Sequence, residues 1–421
     1  MTEKLLQFIW QHQFYNFINL KTIDDEPLTI IKRGSLNDNQ GPDFINAKIQ
    51  ISDTLFVGNI ELHIHTSDWE KHRHSQDENY SNVILHVVWM IDKNIYLPFP
   101  TLELQPLVSM HLLAKYENLM LANASNISCE NYWHQIELFT WENWLERLTF
   151  ERLEYKYEHI ISKLSQYNND WAEIFWHAIA YNFGLKVNAE AFELLAISLP
   201  NKILSHLRNN IKSVEALLFG QVNMLQSLEN DDNQLQLFQE YSYLKKKYNL
   251  TPVHINIQLL RMRPTNFPTL RLAQLADLIV KQTFLFSKIL EANTVKDVYK
   301  LFDVEASNYW NNHFVFGKIS EQVSSKKLGR GMKDNIVINT VIPFVFSYGK
   351  FMGIDAYTTK ALDWLAVISA EKNQITAHWN NLPFKLNINA GNSQSLIHLY
   401  KNYCIPKKCL SCAIGLQVLK K

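Results

Sequence analysis

The chain has 421 residues, with 41 Lys plus Arg against 41 Asp plus Glu, and is 47% hydrophobic, 12% aromatic and 19% charged. That length exceeds one ordinary hydrophobic core and predicts two packed units, while the apolar content excludes intrinsic disorder. The charge balance excludes a global electrostatic pull toward nucleic acid, so any basic surface is local, and 12 Gly with 12 Pro are too few turn residues for an all-β fold.

The opening segment, MTEKLLQFIWQHQFYNFINLK, carries charges early and lacks a small-residue cleavage site. It reads as an amphipathic helix rather than a signal peptide, so a cytoplasmic protein is expected. The apolar run Ile336–Tyr348 is interrupted by Asn339, Pro343 and Ser347 and is too short to span a bilayer, which excludes a membrane role.

Leu28–Lys32, Phe44–Ile51 and Leu55–His65 are rich in β-branched and alternating apolar residues and predict three strands. Ser67–Asn79 begins with a good N-cap and an acidic first turn, predicting a helix, and Val83–Trp89 returns to a strand pattern. The expectation is an α+β protein: a small αβββαβ domain over residues 1–115, then a larger, mainly α-helical domain over residues 116–421.

Gly41-Pro42-Asp43-Phe44 enters the second of these strands, and Glu61-Leu62-His63 lies on the third. A Pro-Asp pair ahead of one strand and an acid-x-basic triplet on the next, in this element order, resembles the PD-(D/E)XK nuclease superfamily. The resemblance implies a restriction-endonuclease-like domain that hydrolyses DNA, with Mg²⁺ or Mn²⁺ held by Asp43 and Glu61. Period-2 alternation places Glu61, His63 and His65 on one face of their strand, so an acid and a nitrogen base converge there. Where the superfamily usually carries lysine this chain has His63, which serves as general base or metal ligand, and Lys71 on the following helix is a candidate for the displaced lysine. Without such a lysine the scaffold is expected to be catalytically silent, a nucleic-acid-binding or assembly protein.

His63, His65, His72, His74 and His86 fall within 24 positions. A His-x-His strand beside a carboxylate is also a transition-metal arrangement. Zn²⁺, Mn²⁺ or Fe²⁺ held by His63, His65 or His86 with Glu61, in a metallohydrolase of a small substrate, is therefore a competing expectation. Taken singly, His72 and His74 read as exposed helix residues and His86 as a hydrogen-bonded core histidine.

Beyond Phe139 apolar residues recur at spacings of three and four, as in Trp141–Lys156. Further helices are expected after Asn188 and around Ser213–Met224, Asn233–Tyr248, Pro268–Leu290 and Thr358–Ala370, with Glu229–Asn233 as an exposed loop. Arg261, Arg263 and Arg271 surround a Pro-broken helix entry, and Lys326, Lys327 and Arg330 lie in a Gly-containing basic loop. Both groups read as contacts for a nucleic-acid backbone, or else as residues tying helix ends together and solvating a surface.

The four cysteines are Cys129 and the trio Cys404, Cys409 and Cys412. A cytosolic chain seldom keeps so close a trio for disulfides; four thiolates suit Zn²⁺ or an iron–sulphur cluster, with Cys129 as a distant fourth ligand. Finally, the segments GPDF, GNIELH, SDWEKHRH, NVILHVVW, RMRPTNFPTLRLAQLA and CIPKKCLSC resemble one uncharacterised bacterial family, domain-of-unknown-function family 2851, across nearly the whole chain. That resemblance implies no activity.

Overall fold

Amphipathic periodicity and strand alternation build two units, and the computed structural model describes residues 1–37, 39–121, 127–225, 231–255, 257–259, 263–386 and 388–421 of them. Unit 1 comprises Met1–Trp144, Asn381–Phe384 and Leu399–Lys421, and unit 2 comprises Leu145–Asn380 and Lys385–His398. This differs from the expected division at residue 115, because the last helix, Ala413–Lys420, packs on the helix Met110–Leu121 and buries Ile414, Val418 and Leu419 in unit 1. The C-terminus therefore belongs with the head.

Unit 1 is organised by one mixed sheet. Its strands are β1 (Leu28–Lys32), β2 (Ser35–Leu36), β3 (Phe44–Ile51), β4 (Thr54–His65), β5 (Val83–Met90) and β6 (Thr101–Glu103), in the order β1-β3-β4-β5-β6 with β2 also on β3. β1, β3 and β4 pair antiparallel, whereas β4–β5 and β5–β6 are parallel. The expected succession of helix, three strands, helix and strand is present, with the short β2 and β6 added. Gly58 permits the close approach of β4 to the lead-in of β5, since a Cβ there would lie 2.5 Å from the Asn82 carbonyl oxygen.

Helix α1 (Glu3–His12) starts at Thr2, whose hydroxyl accepts from the Leu5 N–H, and packs Leu5, Leu6, Ile9 and Trp10 toward the sheet, touching β4. The expected continuation to Lys21 does not occur, because Gln13 takes a left-handed conformation at φ 57° and its N–H closes on the last carbonyls. Ser67–Asn79 is likewise not one helix. It forms α2 (Asp68–Lys71) and then 3₁₀ turns at His74–Gln76 and Glu78–Tyr80, separated from α2 by Arg73 at φ 59°.

Unit 2 is mainly helical around a core that includes Phe183, Phe192, Phe219, Leu272, Trp310 and Val345. The predicted helix at Trp141–Lys156 lies inside Leu138–Gln166, and that at Asn233–Tyr248 corresponds to Asp232–Lys247, capped by Asp231. Residues 229 and 230 of the expected loop lie outside the described residues. Pro268–Leu290 divides into Pro268–Lys281 and Leu285–Glu291, because Gln282 is extended and Phe284 left-handed. The Ile336–Tyr348 run continues through a π-turn at Val337–Val341 immediately before Pro343, a widened register that accommodates the missing proline N–H. Among the described residues no helix is long and apolar enough to cross a membrane.

Candidate metal centre

The site begins with strand alternation. Ile60 and Leu62 bury one face of β4, and Glu61 and His63 occupy the other, where Glu61 is in register with His86 of the parallel strand β5. Trp69 of α2 covers this face; it is 3% exposed, its indole N–H donates to Ser75 Oγ at 2.9 Å, and its ring lies against His63, His74 and His86. The turn at Arg73 follows, and His72 and His74 on either side of it reach the same place. His74 is held by a stacked contact with Tyr80, with ring centroids 3.8 Å apart.

One ligand atom from each of His63, His72 and His74 lies within 4.8 Å of the others. Glu61 Oε1 stands 3.5 Å from His63 Nε2 and 3.4 Å from His74 Nε2, and His63 Nε2 stands 3.1 Å from His72 Nδ1. A tetrahedral ion with metal–nitrogen bonds of about 2.0–2.1 Å separates its ligands by about 3.4 Å. The two Glu61 spacings match an edge of such a polyhedron, while His63 and His72 stand at hydrogen-bond distance. The His74 Nε2 is buried and makes no hydrogen bond despite its proximity to Glu61. That is a lone pair or proton left unsatisfied by protein, and an ion would resolve it.

The electrostatics point the same way. Burial, and then His86, His74 and His72, hold His63 down to about 2. Burial and His74 hold His86 down to about 4, and burial and His72 lower His74. These imidazoles are thus neutral, the form in which histidine ligates metal. A neutral His63 that offers Nε2 to an ion carries its proton on Nδ1, which lies 2.9 Å from His86 Nε2, so the buried His86 fixes both tautomer and ring orientation.

Asp43 and Glu61 meet, but through a backbone lock. The Asp43 N–H donates to Glu61 Oε2 at 3.0 Å, while Asp43 accepts from the Leu62 N–H at 3.0 Å and from Gln7 Nε2 at 2.7 Å. Burial, and then the Asp43 carboxylate, push Glu61 up to about 9, and burial pushes Asp43 up to about 6. The pair therefore retains a proton at neutral pH, on Glu61. The free oxygen of Glu61 is the one that faces the histidines.

Other expected residues lie elsewhere. The Lys71 ammonium is exposed and tied to Asp68 at 2.6 Å, so it does not replace the superfamily lysine at this centre. His65 also turns to Asp68, its ring nitrogen 3.5 Å from Oδ2, and leaves the cluster because β4 ends there. His72 is exposed as expected and His74 is buried, and both bring a ring nitrogen into the cluster with His63, a grouping that sequence reasoning passed over. Their signal was the His-x-His spacing at 72 and 74, hidden by the expectation of a continuous helix.

In unit 2, Arg271 is 6% exposed and its two terminal nitrogens donate to Gln274 and Asn266 at 2.9 and 2.7 Å, so it pins a helix start, although its buried Nε has no partner. Lys326 is 9% exposed, lies over the Phe314 ring and bonds Ser324, which also removes it from a binding surface. Arg330 is exposed but paired with Asp334 and stacked over Tyr299; Arg263 and Lys327 are exposed. Arg261 lies outside the described residues.

All four cysteines gather within unit 1. Cys129, Cys404, Cys409 and Cys412 line one cavity with Ile127, Ser128, Tyr403 and Gly415. Burial pushes the Cys129 thiol up to about 12 and Cys412 up to about 11, so neither is an activated nucleophile.

The model of the family described as a protein of unknown function (DUF2851) matches residues 3–374, and the chain belongs to that family. No curated protein and no solved structure matches it.

Proposed function

We propose that the head is a transition-metal-dependent hydrolase whose substrate is a phosphodiester of a nucleic-acid strand. The observation that carries this reading is the convergence of His63, His72 and His74, one ligand atom of each within 4.8 Å of the others, with Glu61 Oε1 3.5 Å from His63 Nε2 and 3.4 Å from His74 Nε2. Three nitrogen donors and one carboxylate select Mn²⁺, Zn²⁺ or Fe²⁺ over Mg²⁺, which prefers an oxygen shell. Asp43 then acts as the residue that fixes Glu61, rather than as a principal ligand.

Such an ion, when bound, polarises a phosphoryl oxygen and acidifies a water. The chain's own contribution is orientation: His86 sets His63, Asp43 sets Glu61, and Trp69 excludes water behind the ring cluster. His72 is the exposed member of the trio, so solvent and substrate enter from its side. Asp43 is half-buried with a carboxyl near neutrality, a character suited to accepting a proton from an attacking water. The phosphodiester assignment is supported by the Gly41-Pro42-Asp43 entry to β3 beside Glu61 on β4, the pair that prompts the nuclease resemblance.

The test is hydrolysis of single- and double-stranded DNA and of bis(p-nitrophenyl) phosphate with Mn²⁺, Zn²⁺, Fe²⁺ or Mg²⁺. Activity is expected with the transition metals and is expected to disappear in His63→Ala and His74→Ala proteins that retain native circular dichroism. Equal cleavage by wild type and His74→Ala would refute the assignment. Hydrolysis of the small diester alone would move the substrate away from nucleic acid, and salt-sensitive DNA binding without turnover would leave a silent scaffold.

A further inference from the structure

The chain brings Cys129 together with three cysteines more than 270 positions later, and it does so inside unit 1. Cys129 precedes the 3₁₀ turn Glu130–Gln135; Cys404 closes the π-turn Tyr400–Cys404; Cys409 opens the 3₁₀ turn Cys409–Ser411; and Cys412 is the N-cap of the helix Ala413–Lys420. Four separate backbone features thus deliver four thiols to one cavity. All four are free thiols.

The surroundings are those of a thiolate site. The Trp133 indole faces the Cys129 sulphur and the Trp144 indole faces Cys412, which stands at the N-terminus of the helix Ala413–Lys420. Donors of this kind stabilise negative sulphur and tune a bound metal. Gly415 is required for the approach, because a Cβ there would lie 2.1 Å from the Cys409 carbonyl oxygen. The Tyr403 ring of the tail packs edge-on against Trp144 at 5.4 Å, and Asn381 Nδ2 donates to Glu130 Oε1 at 3.1 Å beside Cys129.

We infer that these four cysteines ligate an iron–sulphur cluster that fastens residues 399–421 to the segment around Cys129. A single zinc, with Zn–S bonds of about 2.3 Å, draws its sulphurs to about 3.8 Å from one another and leaves no space between them. Here the four cysteines are among the residues that line one cavity, and among the described residues the trio whose ligand atoms close within 4.8 Å is made of histidines and includes no cysteine. A cluster attaches its thiolates to separate irons and so holds them further apart. The inference is independent of the hydrolase reading, because the cluster shares no residue with Glu61, His63, His72 and His74.

The experiment is metal and acid-labile sulphide analysis, with a visible spectrum, of the full chain purified anaerobically. Brown protein with iron and sulphide in equal amounts is expected. His63→Ala should keep the sulphide, and Cys129→Ser or Cys409→Ser should lose it. Oxidative loss of the cluster should open residues 399–421 to proteolysis while the wild-type holoprotein resists. One zinc per chain without sulphide would overturn the cluster, and four thiols with neither metal would overturn the centre altogether; both are read on the wild-type protein and do not depend on the variants folding.

Discussion

Glu61→Gln separates stability from metal binding in a way that follows from burial alone. In the metal-free protein the Glu61 carboxyl is raised to about 9 by desolvation and then by Asp43, so at pH 7 it is neutral when folded and ionised when unfolded. A raised folded value means stability that is complete below the unfolded value of 4.5 and is lost as pH rises toward 9. At pH 7 the loss is 2.5 units, about 3 kcal/mol at about 1.4 kcal/mol per unit. Glutamine has the shape of the neutral acid, still accepts from the Asp43 N–H, and offers its amide to His74 Nε2. The metal-free variant should therefore be more stable than wild type by about 3 kcal/mol at pH 7 and by less than about 1 kcal/mol at pH 5, read as urea midpoints in chelator.

Metal binding should move the opposite way. The ion must displace the Glu61 proton, so wild type should release about one proton per ion at pH 7, and its affinity should rise about tenfold per pH unit between pH 6 and 8. In Glu61→Gln the release should vanish and affinity should fall on the order of 100-fold, at least the effect of removing an outer-shell partner. Calorimetry with Mn²⁺, for which soft thiols compete poorly, in two buffers of different ionisation enthalpy measures both quantities. A variant that is less stable at pH 7, or that binds Mn²⁺ with unchanged affinity and proton release, would refute the reasoning.

His86→Leu should lower metal affinity 10–100-fold, whereas His86→Gln, which can still bond His63 Nδ1, should recover most of it in the same titration. Lys71→Ala should leave metal affinity and turnover within about twofold of wild type, because its ammonium serves Asp68; a loss near 100-fold would restore the lysine role implied by the nuclease resemblance. In unit 2, Glu215 is 3% exposed and burial raises its carboxyl to about 7, so its stability contribution is complete below 4.5 and lost as pH rises through 7. Glu215→Gln should then raise the urea-derived stability at pH 8 by about 3 kcal/mol and flatten the decline between pH 5 and 8.

Local chemistry made much of the head legible. Alternation placed Glu61 and His63 on one face, and the Pro42–Asp43 entry to β3 placed Asp43 beside Glu61, because both are properties of single strands. The four longer strands were therefore read nearly to their ends, whereas the first helix was read too far and the short β2 and β6 were not read. The histidine cluster was not, because the positions of His72 and His74 depend on a left-handed turn at Arg73 and on packing against Trp69 and Tyr80, neither of which has a periodic signature. The same limit applies in unit 2, where Arg271 and Lys326 look basic in sequence but are buried by partners drawn from other segments. The trio Cys404, Cys409 and Cys412 was readable from spacing, but its grouping with Cys129 and the tail's membership in unit 1 required tertiary packing.

Anomalous diffraction from crystals grown with Mn²⁺ would locate the ion itself. A metal peak is expected within about 2.2 Å of Glu61 Oε1, His63 Nε2 and His74 Nε2, with His72 Nδ1 closing the set. A peak seated between the Asp43 and Glu61 carboxylates and remote from the imidazoles, or no peak at the histidine cluster, would contradict that placement.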